Sequence, residues 1–141
     1  MRSLITDCIL AAGFLTRLAP ARVVQPEELG RSLPYFPLVG LIIGLILTVP
    51  WLLGLAAEHP WLQAWLWLAG ALYITRGLHW DGWVDLWDAW GSKTRGDRFW
   101  EVLKDSRMGA FGGMGLFMGL AGQLLLVHHA CQSHAWGTLI W

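Results

Sequence analysis

Two long stretches without any charged residue constrain the fold of this chain more than any other feature. No Lys, Arg, Asp or Glu occurs from Ser32 to Ala57, and none occurs from Met108 to Trp141. Charged residues make up 14% of the whole chain, against about 25% in an average soluble domain. Uncharged apolar runs of this length are typical of helices that cross a lipid bilayer. The sequence therefore predicts an all-α integral membrane protein.

The lengths of the apolar runs predict the individual spans. A helix over residues 37–57 rises about 32 Å, enough to cross a hydrocarbon core of about 30 Å. A shorter span is expected at 60–75, a third at 108–127, and the start of another from residue 135. We expect residues 1–141 to form a single integral membrane domain, a multi-pass transmembrane helical bundle. In the third span, glycine pairs at 109/113 and 115/119 predict close helix packing.

The first 21 residues combine a basic start, an apolar run and the small-residue ending Ala19–Ala21, a pattern that resembles a signal peptide. Asp7 interrupts the apolar run, and Arg17 lies just before the position where cleavage would occur. Both features argue against cleavage. We expect an N-terminal helix that lies in the membrane interface.

The distribution of positive charge predicts the orientation. All ten Lys and Arg residues lie before Ser32 or between Arg76 and Arg107, and none lies in the turns at 58–60 and 128–134. By the positive-inside rule, the N-terminus and the polar centre face the cytoplasm from the cell (inner) membrane. Eleven tryptophans agree with a bilayer, because indole rings favour its interface. The net charge of zero predicts no nucleic-acid partner.

Asp81, Asp85 and Asp88 follow an i, i+4, i+7 spacing that places three carboxylates on one face of a helix. Carboxylates about 6 Å apart repel by roughly 3 kcal/mol at an effective dielectric of 20. A divalent cation among the oxygens, or a proton on one of them, relieves this repulsion. Oxygen ligands favour Mg²⁺ or Mn²⁺. We therefore predict a cytoplasmic-face acidic helix with a metal site; a solvated acidic face is the alternative. The opposite face carries Trp83, Trp87 and Trp90.

A second motif, EVLKDSRMGAFGGMG, covers residues 101–115. Lys104 and Arg107 supply cations suited to phosphate oxygens, and the glycines that follow permit close approach of a backbone or ligand. Carboxylates for a metal and cations for phosphate at one membrane face predict phosphoryl or phosphonucleotidyl transfer. A juxtamembrane basic anchor followed by a packing helix is the alternative for this motif alone.

These motifs resemble those of a known family. GLHWDGWVDLWDAWGS (77–92) resembles the H-x-D-G-x-x-D-x-x-D segment of the adenosylcobinamide-GDP ribazoletransferases, also called cobalamin synthases. KDSRMGAFG (104–112) is similar to the second signature of that family, and FLTRLAPA (14–21) and RSLPYFPLVGLIIG (31–44) agree in the same order. Chains of the family are longer, so this one is expected to be an N-terminal portion or a truncated product.

The resemblance implies a Mg²⁺-dependent membrane enzyme for the nucleotide-loop joining step of cobalamin biosynthesis. A free ribose hydroxyl of α-ribazole, or of its 5′-phosphate, displaces GMP from adenosylcobinamide-GDP and forms adenosylcobalamin or its phosphate. The implied partners are the corrinoid nucleotide, α-ribazole and the lipid bilayer, and a homo-oligomer is left open.

The resemblance also implies roles for individual residues. The metal ligands would be Asp81, Asp85 and Asp88, with Asp88 favoured as the base. The catalytic set would be Asp88, Asp85, Lys104 and Arg107. The pyrophosphate contacts would be Lys104, Asp105, Ser106, Arg107 and Gly109. His79 would project away from the aspartates and act as an orienting or packing residue.

Three other functions are alternatives to the transferase. A CDP-alcohol phosphotransferase also places spaced aspartates on membrane helices, but its D-G-x-x-A-R opening is not present. A transporter or ion-path subunit would use Asp81, Asp85 and Asp88 as a cation route, although Lys104 and Arg107 would oppose cations there. An inactive truncated homologue is the third alternative.

Overall fold

The computed structural model describes residues 4–105 and 107–140, and all regular structure in these two ranges is helical. The α-helices are α1 (Leu4–Leu15), α2 (Pro26–Ser32), α3 (Phe36–Leu52), α4 (Pro60–Thr75), α5 (Leu78–Gly91), α6 (Asp97–Leu103) and α7 (Ala110–Gln132). Short 3-10 helices cover Leu33–Tyr35 and Trp136–Leu139. The expected all-α class is confirmed over the described part of the chain.

Two helical stretches are long and apolar enough to cross a membrane by length and composition. The first, Pro26–Leu52, joins α2, a 3-10 turn and α3 over 27 residues with a mean hydropathy of 2.0. The second is α7, with 23 residues and a mean hydropathy of 1.7. Only 22% and 17% of their most apolar windows are buried within the chain. Phe117 and Leu126 of α7, for example, are 71% and 72% exposed. The rest of the described chain therefore leaves most of their apolar surface uncovered.

The ends of α3 and α4 follow from local backbone chemistry. α3 stops at Leu52 rather than near residue 57, because the chain enters a turn in which Gly54 has a φ of +84°. Pro50 lies inside the last turns of α3 without ending it. α4 starts at Pro60, where a proline is favoured in the first helical turn, and covers the residues expected for the second apolar segment.

α7 extends further than the apolar pattern indicated. It continues to Gln132, so His128 and His129 lie in the helix and not in a polar turn. The helix continues because Val127 and Cys131 are buried against Ala64 of α4. The imidazole of His128 stacks on the ring of Trp61, with 3.8 Å between centroids. Beyond α7, the segment expected to begin another span contains the short 3-10 helix noted above.

Glycines on one face of α7 allow α5 to lie directly against it. A Cβ at Gly112, Gly115 or Gly119 would collide with side chains of α5, whereas a Cβ at Gly113 would meet nothing within 4 Å. The Trp83 indole donates a hydrogen bond of 2.9 Å to the carbonyl of Gly115. The contact face therefore runs through positions 112, 115 and 119, and the expected pairing of Gly109 with Gly113 is wrong, because Gly113 faces away from α5.

Candidate active site between α1, α4, α5 and α7

A left-handed turn places the acidic helix at the end of α4. Arg76 and Gly77 have φ values of 58° and 69°, which end α4 and reverse the chain direction. The Gly77 N–H donates to the carbonyl of Leu72, and the Gly77 carbonyl accepts bonds from the N–H groups of Trp80 and Asp81. α5 therefore starts at once, and Asp81 lies in its first turn beside the C-terminal end of α4.

A cavity of about 700 Å³ lies at this junction. Its walls come from the end of α1 and the loop that follows, the α4–α5 turn, one face of α5 and the start of α7. The charged side chains that line it are Arg22, Arg76, Asp81 and Asp85. Pockets of 300–1,000 Å³ are typical of small-molecule sites, so the cavity is large enough for a nucleotide-sized group.

Asp81 and Asp85 line the cavity, and their carboxylates accept no hydrogen bond from any described residue. Desolvation raises the pKa of Asp85 above its ordinary value, and the neighbouring charges of Asp81 and Asp88 raise it further. The repulsion expected from the sequence spacing is therefore present at Asp85. A bound cation or a proton would relieve it.

Asp88 faces the start of α7 instead of the cavity. Its Oδ2 accepts a 2.7 Å bond from the N–H of Gly109, and its Oδ1 accepts a 2.7 Å bond from the N–H of Gly112. A carboxylate at the N-terminus of a helix satisfies unpaired N–H groups and interacts favourably with the helix dipole. A Cβ on either glycine would collide with this carboxylate. The third aspartate and the glycine-rich motif are thus joined directly.

Two of the three aspartates, and not all three, could supply ligands to one magnesium ion. No group of three or more His, Cys, Asp or Glu side chains in the described ranges is arranged to share one metal ion. Mg²⁺ is commonly held by one or two carboxylates, with waters and substrate phosphates completing the shell. Asp81 and Asp85 meet that requirement on the cavity wall. Asp88 keeps a second lone pair on each oxygen, but both oxygens are already hydrogen-bonded to α7.

The predicted phosphate cations, Lys104 and Arg107, do not line the cavity. Arg107 forms an exposed ion pair with Asp105, with 2.7 Å between Nη2 and Oδ2. Hydrogen bonds from the Arg107 side chain and backbone lower the pKa of Asp105 to about 2. Lys104 is exposed just after α6, and Ser106 lies outside the described residues. Met108 does line the cavity, so this segment passes along its mouth.

Sequence reasoning missed the two arginines of the cavity. Arg76 donates from Nη2 to the carbonyls of Gly13 and Thr16, both at 2.7 Å, and so ties the end of α1 to the end of α4. Arg22 lies in the loop after α1. Arg22 directly follows the family-like segment 14–21, and Arg76 directly precedes the family-like segment 77–92. These neighbouring motifs were the one sequence signal that could have indicated the two arginines as site residues.

The other faces of α5 lie away from the aspartates. His79 lines separate cavities with Gln123 and Trp80, on the side expected for an orienting or packing residue. The tryptophan face forms a run of ring contacts, with centroid distances of 5.9 Å from Trp83 to Trp87 and 5.6 Å from Trp87 to Trp90. These three rings line an apolar groove with Leu86 and Phe99.

Comparison with known proteins supports the family that the motifs resemble. Three curated relatives carry the name adenosylcobinamide-GDP ribazoletransferase. The protein from Nitratidesulfovibrio vulgaris (strain DSM 19637 / Miyazaki F) is 53% identical over 133 residues, which are 94% of this chain and 53% of the relative. The protein from Thiobacillus denitrificans is 43% identical, covering 85% of this chain and 49% of the relative. The protein from Brevibacillus brevis is 37% identical, covering 92% and 53%.

The chain spans about half the length of the curated relatives it matches. No solved structure matches it significantly. The family model described as cobalamin-5-phosphate synthase matches residues 7–141, which include the cavity, the acidic helix and the glycine-rich motif. The chain therefore belongs to the cobalamin-5-phosphate synthase family.

Proposed function

We propose that this protein performs the nucleotide-loop joining step of cobalamin biosynthesis. In this reaction a free ribose hydroxyl of α-ribazole, or of its 5′-phosphate, bonds through its oxygen to the phosphorus carried by the corrinoid. The bond from that phosphorus to the bridging oxygen of adenosylcobinamide-GDP breaks, and GMP leaves. The single observation that carries the proposal is a cavity with two free carboxylates and two guanidinium groups, built by the motifs that the family shares.

The cavity supports a role for each acidic residue. Asp81 and Asp85 would hold Mg²⁺, which neutralises pyrophosphate charge when it is bound. The acceptor hydroxyl must lose a proton, and Asp85 supports that step better than Asp88, because Asp85 lines the cavity whereas both oxygens of Asp88 already accept hydrogen bonds from α7. Asp88 instead holds the start of α7 against α5. We therefore propose Asp85, in place of Asp88, as the proton acceptor.

The predicted pyrophosphate contacts are retained as proposals at the cavity mouth. Lys104 and Arg107 are exposed and lie in the segment that leads into Met108, a lining residue. Arg107 would have to leave Asp105 to bind a phosphate, and that exposed pair contributes little to stability. The N–H of Gly109 is already bonded to Asp88, so Gly109 would contribute close approach rather than a donor.

The membrane part of the proposal is a multi-pass bundle in the cell (inner) membrane. Residues 26–52 and 110–132 have the length and the uncovered apolar surface for two spans. Between them α4, a shorter apolar helix of 16 residues, would be the span that returns the chain to the cytoplasmic side. The distribution of Lys and Arg supports a cytoplasmic N-terminus and a cytoplasmic cavity. α1 has 12 residues, whereas a helix that crosses the bilayer needs about 20. This length agrees with a helix that lies in the membrane interface.

GMP release from adenosylcobinamide-GDP and α-ribazole tests the reaction. Membranes that carry this chain should release GMP in the presence of Mg²⁺, and the release should stop on addition of EDTA. Membranes prepared in the same way without the chain are the control. Absence of GMP release from the chain in well-folded, membrane-inserted form would overturn the proposal for this protein.

A further inference from the structure

We propose that Arg22 binds the pyrophosphate of the substrate inside the cavity, opposite Asp81 and Asp85, and that Arg76 positions the loop that carries it. This inference rests on the proposed function and adds a binding residue to the same site. It differs from the motif-based expectation, in which Lys104 and Arg107 were the phosphate contacts.

The loop after α1 is fixed to the end of α4, so the place of Arg22 is not accidental. Arg76 bonds the carbonyls of Gly13 and Thr16, and the N–H of Arg17 donates to the carbonyl of Ile74 at 2.9 Å. The Arg17 guanidinium lies 4.0 Å from the centroid of the Tyr73 ring. These contacts hold the chain between α1 and the cavity at several points.

A close approach of backbone turns the loop towards the cavity. A Cβ on Gly13 would collide with the carbonyl oxygen of Pro20, so the loop folds back over the last turn of α1 only because residue 13 is glycine. The next residues, Ala21 and Arg22, line the cavity. The segment FLTRLAPA therefore places the residue that follows it, Arg22, at the cavity.

The guanidinium of Arg22 is available for a ligand. It is exposed and makes no hydrogen bond or ion pair with the described residues, although Asp81 and Asp85 line the same cavity. Arg76 uses Nη2 for its two carbonyl contacts, and the fork of Arg107 is occupied by Asp105. Of the arginines near the cavity, Arg22 is thus the one whose donors are all uncommitted within the described ranges.

Charge balance favours a doubly substituted pyrophosphate as the ligand. The two carboxylates and the two guanidinium groups cancel, so a divalent cation would leave the cavity with an excess of two positive charges. A pyrophosphate with a substituent at each end carries about two negative charges, which the planar guanidinium can meet with paired hydrogen bonds. α-Ribazole, the acceptor without a phosphate, has no such charge, so Arg22 should distinguish it from adenosylcobinamide-GDP.

Steady-state kinetics of variants test this assignment in the detergent-solubilised or membrane-bound chain. We expect Arg22→Ala to raise the KM for adenosylcobinamide-GDP about 10- to 100-fold, the effect of losing a hydrogen bond to a charged group. The KM for α-ribazole should not change, and Arg22→Lys should recover part of the loss. Arg31→Ala, at an exposed position on α2 that does not line the cavity, is the matched control. Equal KM values for Arg22→Ala and Arg31→Ala would overturn the inference.

A chemical protection experiment separates this inference from the proposed function. Phenylglyoxal modifies accessible guanidinium groups, and peptide mass spectrometry reports the modification of Arg22 and Arg31 in the same sample. Inorganic pyrophosphate with Mg²⁺ should protect Arg22 and leave Arg31 reactive. Protection without GMP release would uphold the anion site and reject the transferase; GMP release without protection would reject Arg22 and uphold the transferase.

Discussion

At the scale of single residues, the three aspartates of α5 divide into two functions. Asp81 and Asp85 line the cavity and their carboxylates accept no hydrogen bond from the described residues, whereas Asp88 accepts hydrogen bonds from two N–H groups at the start of α7. The first pair is unfavourable without a cation, and Asp88 is favourable as it stands. A substitution at Asp85 should therefore affect activity and stability in opposite directions.

We expect Asp85→Asn to abolish GMP release and to raise the melting temperature of the metal-free protein slightly, because it removes a repelled charge. Asp88→Asn should lower the melting temperature, by the equivalent of about 0.5–2 kcal/mol, because it weakens a helix cap. Tryptophan fluorescence melting in detergent and the GMP assay provide both measurements. A lower melting temperature for metal-free Asp85→Asn would contradict the repulsion argument.

The raised pKa of Asp85 also gives a sign for the pH dependence of stability. The folded state binds this proton more tightly than the unfolded state, so the contribution of Asp85 to stability rises as pH falls from the raised pKa towards 3.8. Asp105 acts in the opposite sense: its contribution is present above 3.8 and is lost as pH falls towards about 2.

Melting temperatures between pH 7 and pH 4 in the presence of EDTA test the Asp85 contribution. The difference between wild type and Asp85→Asn should shrink as the pH falls, because protonation removes the charge that the substitution removes. Asp105→Asn is the matched control, since Asp105 remains ionised over this range. A difference that grows towards pH 4 would contradict the sign.

At the scale of helices, the packing of α5 on α7 depends on which glycines face the contact. Gly115 lies under the ring of Trp87 and accepts the indole hydrogen bond of Trp83, whereas Gly113 faces open space. The two positions belong to the same helix and differ only in their face. They therefore provide a direct comparison between packing and helix propensity.

We expect Gly115→Ala to destabilise the protein by about 1–3 kcal/mol, because the added methyl group forces apart a close contact. Gly113→Ala should be neutral or stabilising by up to about 1 kcal/mol, because alanine is the better helix former. Chemical denaturation in detergent, followed by circular dichroism, measures both. Equal effects at the two positions would show that α5 does not lie on this face of α7.

The turn between α4 and α5 makes a second comparison possible. Arg76 has a left-handed conformation that costs a non-glycine residue about 1–2 kcal/mol, yet its side chain bonds two carbonyls of the α1 end. Arg76→Ala loses the bonds and keeps the strain, whereas Arg76→Gly loses the bonds and relieves it. We expect Arg76→Gly to melt at the higher temperature of the two variants, and the reverse order would argue against the left-handed turn.

At the scale of the whole molecule, the uncovered apolar surface of residues 26–52 and α7 requires a bilayer or further helices around it. The proposed topology places the α5–α6 loop on the cytoplasmic side and the end of α7 on the other side. Ser92 and Ser133 are exposed residues in these two places. Labelling of cysteines introduced there would distinguish the proposed orientation from its inverse.

In a background with Cys8 and Cys131 replaced, a membrane-impermeant maleimide should label Ser133→Cys in intact spheroplasts. It should label Ser92→Cys only after the membrane is opened or inverted. This expectation follows from the positive-inside rule, because the turns at 58–60 and 128–134 contain no Lys or Arg. Labelling of Ser92→Cys in intact spheroplasts would contradict a cytoplasmic active site, and labelling of both positions would contradict an α7 that crosses the membrane.

Local patterns in the sequence predicted the helical class and the charge repulsion on α5. The i, i+4, i+7 spacing predicted the helix and the charge repulsion that, after desolvation, adds to the raised pKa of Asp85, because the helix and the repulsion both depend only on residues a turn or two apart. The charge-free runs predicted the two long apolar helices, and the motifs together predicted the family. Charge, periodicity and motif order can all be read from the amino-acid sequence without the fold.

Only the tertiary structure decided how these parts meet. Asp88 bonds to Gly109 and Gly112, Arg22 lines the cavity and Arg107 does not, and the contact face of α7 passes through Gly112 and Gly115. Each of these facts depends on the angle and rotation with which one helix packs on another, or on where a loop folds back. Those are set by contacts between residues distant in sequence, which no local spacing contains.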